Sequence, residues 1–203
     1  MDIKLAKTLS TILHPVILPL IFGILILKMP IYPFSLINPK AFIIFIIALF
    51  ILTYLLPIII IYLMYKFSVI NSFELKDKKE RILPLLAYSI ILYLTTIIFK
   101  QWNLPMIWNL SLLLMTLIVI LTLFISTYFK ISIHLAGWGG LVGLIIFLTY
   151  EYNVNYIAYL SIALFLSSII AWARAKTGMH NNIEIISGFF LGLTTITLGL
   201  FFI

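Results

Sequence analysis

The chain has 203 residues, of which 64% are hydrophobic and 9% charged, with a mean hydropathy of +1.24 and a formal net charge of +7. That composition lies far outside the soluble globular range and describes an integral membrane protein, with no polar stretch long enough to form a separate soluble domain. The absence of cysteine excludes disulfides, thiolate nucleophiles and cysteine metal sites, and the few basic residues, which lie beside apolar runs, exclude a recognisable nucleic-acid-binding module.

Taking about 20 apolar residues per span, the pattern predicts an all-α, polytopic transmembrane bundle of about six to seven spans, over 9–28, 41–65, 84–99, 106–128, 133–150, 154–173 and 183–203. Lys4 and Lys7 ahead of an apolar run resemble a signal peptide, but the run continues through Leu27 without a small-residue cleavage site, so it reads as a retained span. Prolines fall at ends or kinks: Pro15 and Pro19 in the first span, Pro57 in the second, Pro84 at the start of the third. The spacings Gly139-x3-Gly143 and Gly188-x3-Gly192 suit close helix approach, within the bundle or across a homodimer. Trp102, Trp108, Tyr150 and Tyr152 stand near span ends and read as an interfacial aromatic belt.

Counting spans alternately places the N-terminus and the 66–83, 129–133 and 174–182 segments on one face. That face carries both arginines, Arg81 and Arg174, together with His134 and His180. Arginine offers a planar, permanently charged fork that matches phosphate oxygens two at a time. The densest group is the polar run from Arg174 through His180 to Glu184, set between two apolar segments where ionisable residues mark a functional site by default.

The spacing Arg174-x5-His180-x3-Glu184 resembles the third signature of the type 2 phosphatidic acid phosphatase superfamily, Ser-Arg-x5-His-x3-Asp, with Ala173 for the serine and Glu184 for the aspartate. Gly178, two before the histidine, also resembles many members. Ser132-Ile133-His134 resembles the second signature, Pro-Ser-Gly-His, with Ile131 and Ile133 in place of its proline and glycine. The first signature, Lys-x6-Arg-Pro, is matched loosely by the stretch from Lys78 and Lys79 through Arg81 to Pro84. Glu74 stands seven residues before Arg81, and the proline is displaced by two. The resemblance covers residues 66–203 as a membrane phosphatase core and leaves 1–65 outside it as N-terminal spans.

The resemblance implies a metal-independent lipid phosphatase without a cofactor. His180 would attack phosphorus to form a phosphohistidine, with Glu184 holding its ring. The spacing itself allows this contact, because residues four apart share a helix face. His134 would be the general acid, and Arg174, Arg81, Lys78, Lys79 and Ser132 would hold the phosphoryl oxygens. A site at headgroup level suits an amphiphile whose chain stays in the bilayer: phosphatidate, phosphatidylglycerol phosphate, a polyprenyl phosphate or diphosphate, or a lipid A phosphate.

Other readings of the same residues are a helix-end polar pair for His180 and Glu184, a capping or carbonyl-bonded histidine for His134, and a solvated mixed-charge loop for Lys78, Lys79 and Arg81. His14, followed by Pro15 and lacking a charged sequence neighbour, reads as structural. Alternative functions are a lipid-phosphate binding or flipping protein without hydrolysis, a metalloenzyme using His134, His180 and Glu184, and, more weakly, a proton-coupled transporter. Ten of the thirteen basic residues lie on the site face. The positive-inside rule therefore makes that face cytoplasmic, in what is expected to be a prokaryotic inner membrane. The basic excess fits anionic lipid and phosphate as partners.

Overall fold

The computed structural model describes residues 3–29, 38–73, 78–102 and 104–202, with only the backbone described for Lys78 and Lys79. Among these residues there are no strands. The α-helices are α1 (Ile3–Ile12), α2 (Leu18–Leu27), α3 (Pro39–Phe50), α4 (Leu56–Lys66), α5 (Lys78–Lys100), α6 (Met106–Tyr128), α7 (Ile133–Glu151), α8 (Ile157–Lys176) and α9 (Asn182–Phe201). Among the described residues seven helical stretches are long and apolar enough to cross a membrane, at the seven expected places. The chain is a multi-pass membrane protein whose only regular structure, among the described residues, is helical.

Where the helices depart from the expected spans, proline explains much of the difference. The first stretch begins at Ile3 and is interrupted: the last backbone bond of α1 runs from the Leu13 N–H to the Leu9 carbonyl, and a single 3-10 turn over Pro15–Ile17 leads into α2. Pro15 has no N–H to continue the ladder, and its ring disfavours helical geometry at His14. In the second stretch a π-helical turn at Ile51–Leu55 joins α3 to α4. There the Leu56 N–H reaches back five residues to the Ile51 carbonyl, immediately before Pro57. The Thr53 hydroxyl, in this turn, donates to the Leu49 carbonyl at the end of α3 at 2.8 Å. Helix α5 begins at Lys78 rather than at Pro84, so that proline lies inside it and removes one ladder bond. Glu80, in the first turn of α5, accepts both the backbone N–H and the side-chain amide of Asn71.

The chain divides into two compact units, Met1–Pro15 with Leu121–Ile203, and Val16–Ile120. This partition by packing falls elsewhere than the 65/66 boundary drawn from the resemblance. In the Val16–Ile120 unit the fully buried Trp108 packs edge-on against Phe45 with ring centroids 4.8 Å apart, and Phe99 also lies against both rings. Trp108 is therefore a core residue, a correction to the belt reading, whereas Trp102 and Tyr150 are exposed near helix ends.

The other unit is built around α7, which packs against α8 and α9 and has buried residues on all sides. The glycine spacings explain the α7–α9 approach. A Cβ added at Gly192 would lie 1.7 Å from the Ala136 carbonyl oxygen, and one at Gly139 would lie 2.0 Å from that of Phe189. The two glycine pairs thus bring these helices into backbone contact within one chain, and the expected homodimer draws no support from them.

Candidate functional site

Helix α8 carries Arg174 in its last turn and ends at Lys176; just past its Thr177 cap stands Gly178, whose φ of +67° lies in the left-handed region that glycine adopts without steric cost. Its N–H bonds the Ala175 carbonyl, while those of Met179 and His180 turn back to the Arg174 carbonyl. This compact turn delivers His180 to the start of α9 a short distance from Arg174 in sequence. Its position two residues before the histidine acquires a physical reason.

Asn181 caps α9 through a reciprocal box: its side-chain oxygen accepts the Glu184 N–H at 2.9 Å, and its own N–H donates to Glu184 Oε2 at 3.2 Å. The same Oε2 lies 2.9 Å from His180 Nδ1, and the histidine side chain is 1% exposed. A carboxylate oxygen can only accept, so Nδ1 carries the proton and the neutral ring holds its lone pair on Nε2. Glu184 therefore has two tasks, capping a helix and orienting a buried imidazole.

Ser132 and His134 are brought to this corner by the α7–α9 contact. The Ser132 N–H donates to the Glu184 carbonyl at 3.1 Å, and an added Cβ at Gly188 would lie 2.5 Å from the Ser132 carbonyl oxygen. Ser132 occupies the N-cap position of α7 but its hydroxyl makes no capping bond. Its Oγ and His134 Nδ1 are both buried without a hydrogen-bond partner among the described residues. A helix N-terminus without a side-chain cap presents N–H dipoles suited to an anion.

Residues outside the sequence-derived site also enter. The Arg174 Nη1 donates to Ser10 Oγ at 3.1 Å, and His134 Nε2 lies 3.3 Å from the Ser10 carbonyl oxygen. The His14 ring stands edge-on to that of His134, with centroids 4.8 Å apart. His14 thus belongs to the cluster despite being read from sequence as structural. The available signal was Ser10 and His14, four residues apart, the histidine directly before a proline in a predominantly apolar span.

The structure brings together His180, Glu184, Arg174, His134 and Ser132 within one compact unit. Arg81 belongs to the other unit, where it is buried in the first turns of α5 rather than lying in a solvated loop. The side chains of Lys78 and Lys79, and the whole of Glu74, lie outside the described residues. Among the described residues no three His, Cys, Asp or Glu side chains converge as a metal-ligand group, so the set required by the metalloenzyme reading is not assembled. No family model, curated protein or solved structure matches the chain.

Proposed function

We propose that this chain is a membrane lipid phosphatase of the kind its signatures resemble, hydrolysing a phosphomonoester or diphosphate of a lipid through a phosphohistidine at His180. The observation that carries the reading is the buried contact between His180 Nδ1 and Glu184 Oε2, in the same corner of the fold as Arg174, His134 and Ser132. Nε2 of His180 attacks phosphorus as the bond to the leaving oxygen breaks, and protonated His134 supplies a proton to that oxygen. Water then attacks phosphorus and breaks the P–N bond, losing its proton to His134. Arg174, the Ser132 hydroxyl and the N-terminal dipoles of α7 balance charge on the phosphoryl oxygens as it shifts. Arg81, Lys78 and Lys79 remain phosphate-binding candidates through the resemblance alone.

The test is phosphate release by purified protein in detergent from phosphatidate, phosphatidylglycerol phosphate, polyprenyl phosphate and diphosphate, and lipid A. Release that persists in chelator is expected for at least one of them, and no release from any would refute the reading. Glu184→Gln removes the charge that stabilises the positive charge His180 acquires as its Nε2 bonds phosphorus, while keeping an acceptor, so kcat should fall about a hundredfold or more. Its melting temperature should stay close to that of the parent, because the amide oxygen still serves the Asn181 cap.

A second reading, a protein that binds or flips lipid phosphates without hydrolysing them, is favoured by Ile133, the first residue of α7, where the second signature has a glycine. Lipid phosphate retained without turnover would select it. We place the site face on the cytoplasmic side of a prokaryotic inner membrane because of the charge bias. In the native cysteine-free background, Lys76→Cys should be protected from an impermeant maleimide in intact cells and react after lysis. Labelling of intact cells would reverse the assignment.

A further inference from the structure

Helix α1 ends where Pro15 prevents its continuation, and a helix end leaves carbonyl oxygens without intrahelical donors. Two of them are met from α7. His134 Nε2 lies 3.3 Å from the Ser10 carbonyl oxygen, and the Trp138 indole N–H donates to that of Leu13 at 3.1 Å. His134 and Trp138 are four residues apart, one turn of α7, so a single face of that helix caps the broken end of α1. Both ring systems are buried, as is Ser10.

A backbone carbonyl accepts and cannot donate, so the Ser10 contact requires the proton of the neutral His134 ring to sit on Nε2. Nδ1 then holds the lone pair, and this is the ring nitrogen that is buried without a hydrogen-bond partner among the described residues. Through its side chain the same serine receives Arg174 Nη1. One residue of the N-terminal helix therefore touches both a cation and a histidine of the candidate site, each more than a hundred residues away in sequence.

We infer that Ser10 is a positioning residue that fixes His134 as its Nε2–H tautomer through its carbonyl and aims Arg174 through its hydroxyl, making His134 Nδ1 the atom that exchanges the catalytic proton. The tautomer assignment stands on geometry alone, whereas the proton-exchange role rests on the phosphatase reading above. In the catalytic cycle Nε2 keeps its proton throughout. Nδ1–H of the imidazolium protonates the leaving oxygen, and the neutral Nδ1 then recovers a proton from the attacking water.

The test uses the whole protein labelled with 15N-histidine in lipid nanodiscs, where only three imidazoles contribute. Spectra of His14→Gln and His180→Gln proteins each remove one ring and identify His134 by elimination. The expected result is a neutral His134 protonated at Nε2. A ring protonated at Nδ1 would overturn the inference whatever the activity. In parallel, Ser10→Ala should lower kcat/KM for the lipid phosphate that is turned over by roughly ten- to hundredfold, the effect of losing a hydrogen bond to a charged group. Ser10→Thr, which keeps the hydroxyl, should recover most of that loss. Equal activity in Ser10→Ala and the parent would refute the Arg174 half. An Nε2–H tautomer in a protein that hydrolyses none of the lipids would support the positioning geometry and refute the phosphatase reading, so the two failures are distinguishable.

Discussion

His180→Ala is expected to abolish phosphate release, with kcat falling by at least about a thousandfold, the scale seen when a nucleophile acting as part of a unit is removed. Its folded state should persist with a modest loss of stability, because a buried ring and one hydrogen bond are lost while the cap of α9 remains. The Asn181–Glu184 cap is made by the Asn181 amide, the Glu184 carboxylate and backbone groups, none of them from His180. The Glu184 carboxylate, 13% exposed, keeps its Asn181 partner when the imidazole is gone. A helix-end polar pair with no chemistry predicts the same modest loss of stability with turnover intact. Turnover separates the two, and the melting temperature of the same preparation shows that the variant assayed is folded.

The second large effect is on folding. Gly192→Ala introduces a Cβ at 1.7 Å from the Ala136 carbonyl oxygen and 2.7 Å from the Gly140 nitrogen, both backbone atoms of α7. Neither can rotate away as a side chain would, so α7 and α9 must separate. Ordinary overpacking costs about 1–3 kcal/mol, and a clash between two backbones should exceed that. Loss of the monodisperse folded fraction in detergent, or a fall in melting temperature well beyond that of Leu198→Ala on the exposed side of α9, is the expected outcome. A protein that tolerates Gly192→Ala would show that the two helices do not meet at these glycines. Because the same interface carries Ser132 and Glu184, its separation should also remove activity.

The seven spans were legible because the apolar run length is a strong signal and the prolines mark its interruptions. Helix existence at 106–128 needed nothing else, and the structure keeps those bounds. The spacing of four between His180 and Glu184 made their pairing legible, but a shared helix face does not make the contact: His180 stands one residue before the Asn181 N-cap, and the turn at Gly178 with the capping box brings its ring to Glu184. The capping box was not read, although Asn181 followed three residues later by Glu184 is its ordinary signature. Trp108 was misread because proximity to a span end does not reveal whether an indole faces lipid or Phe45 and Phe99. Ser10 and His14 were missed for a different reason. Their partners His134 and Arg174 lie on α7 and α8, and no periodicity or spacing connects residues joined only by tertiary packing. The Gly139 and Gly188 pairs announced a close helix contact, but they did not reveal that the two pairs face each other within one chain.

The most direct measurement is a rapid-quench experiment with a radiolabelled lipid phosphate that the protein turns over, denatured in alkali and mapped by peptide. A phosphoenzyme is expected that is stable to base, labile to acid, located on the peptide carrying His180 and absent from His180→Ala. Turnover without a phosphohistidine, or label on any other residue, would rule out His180 as the nucleophile.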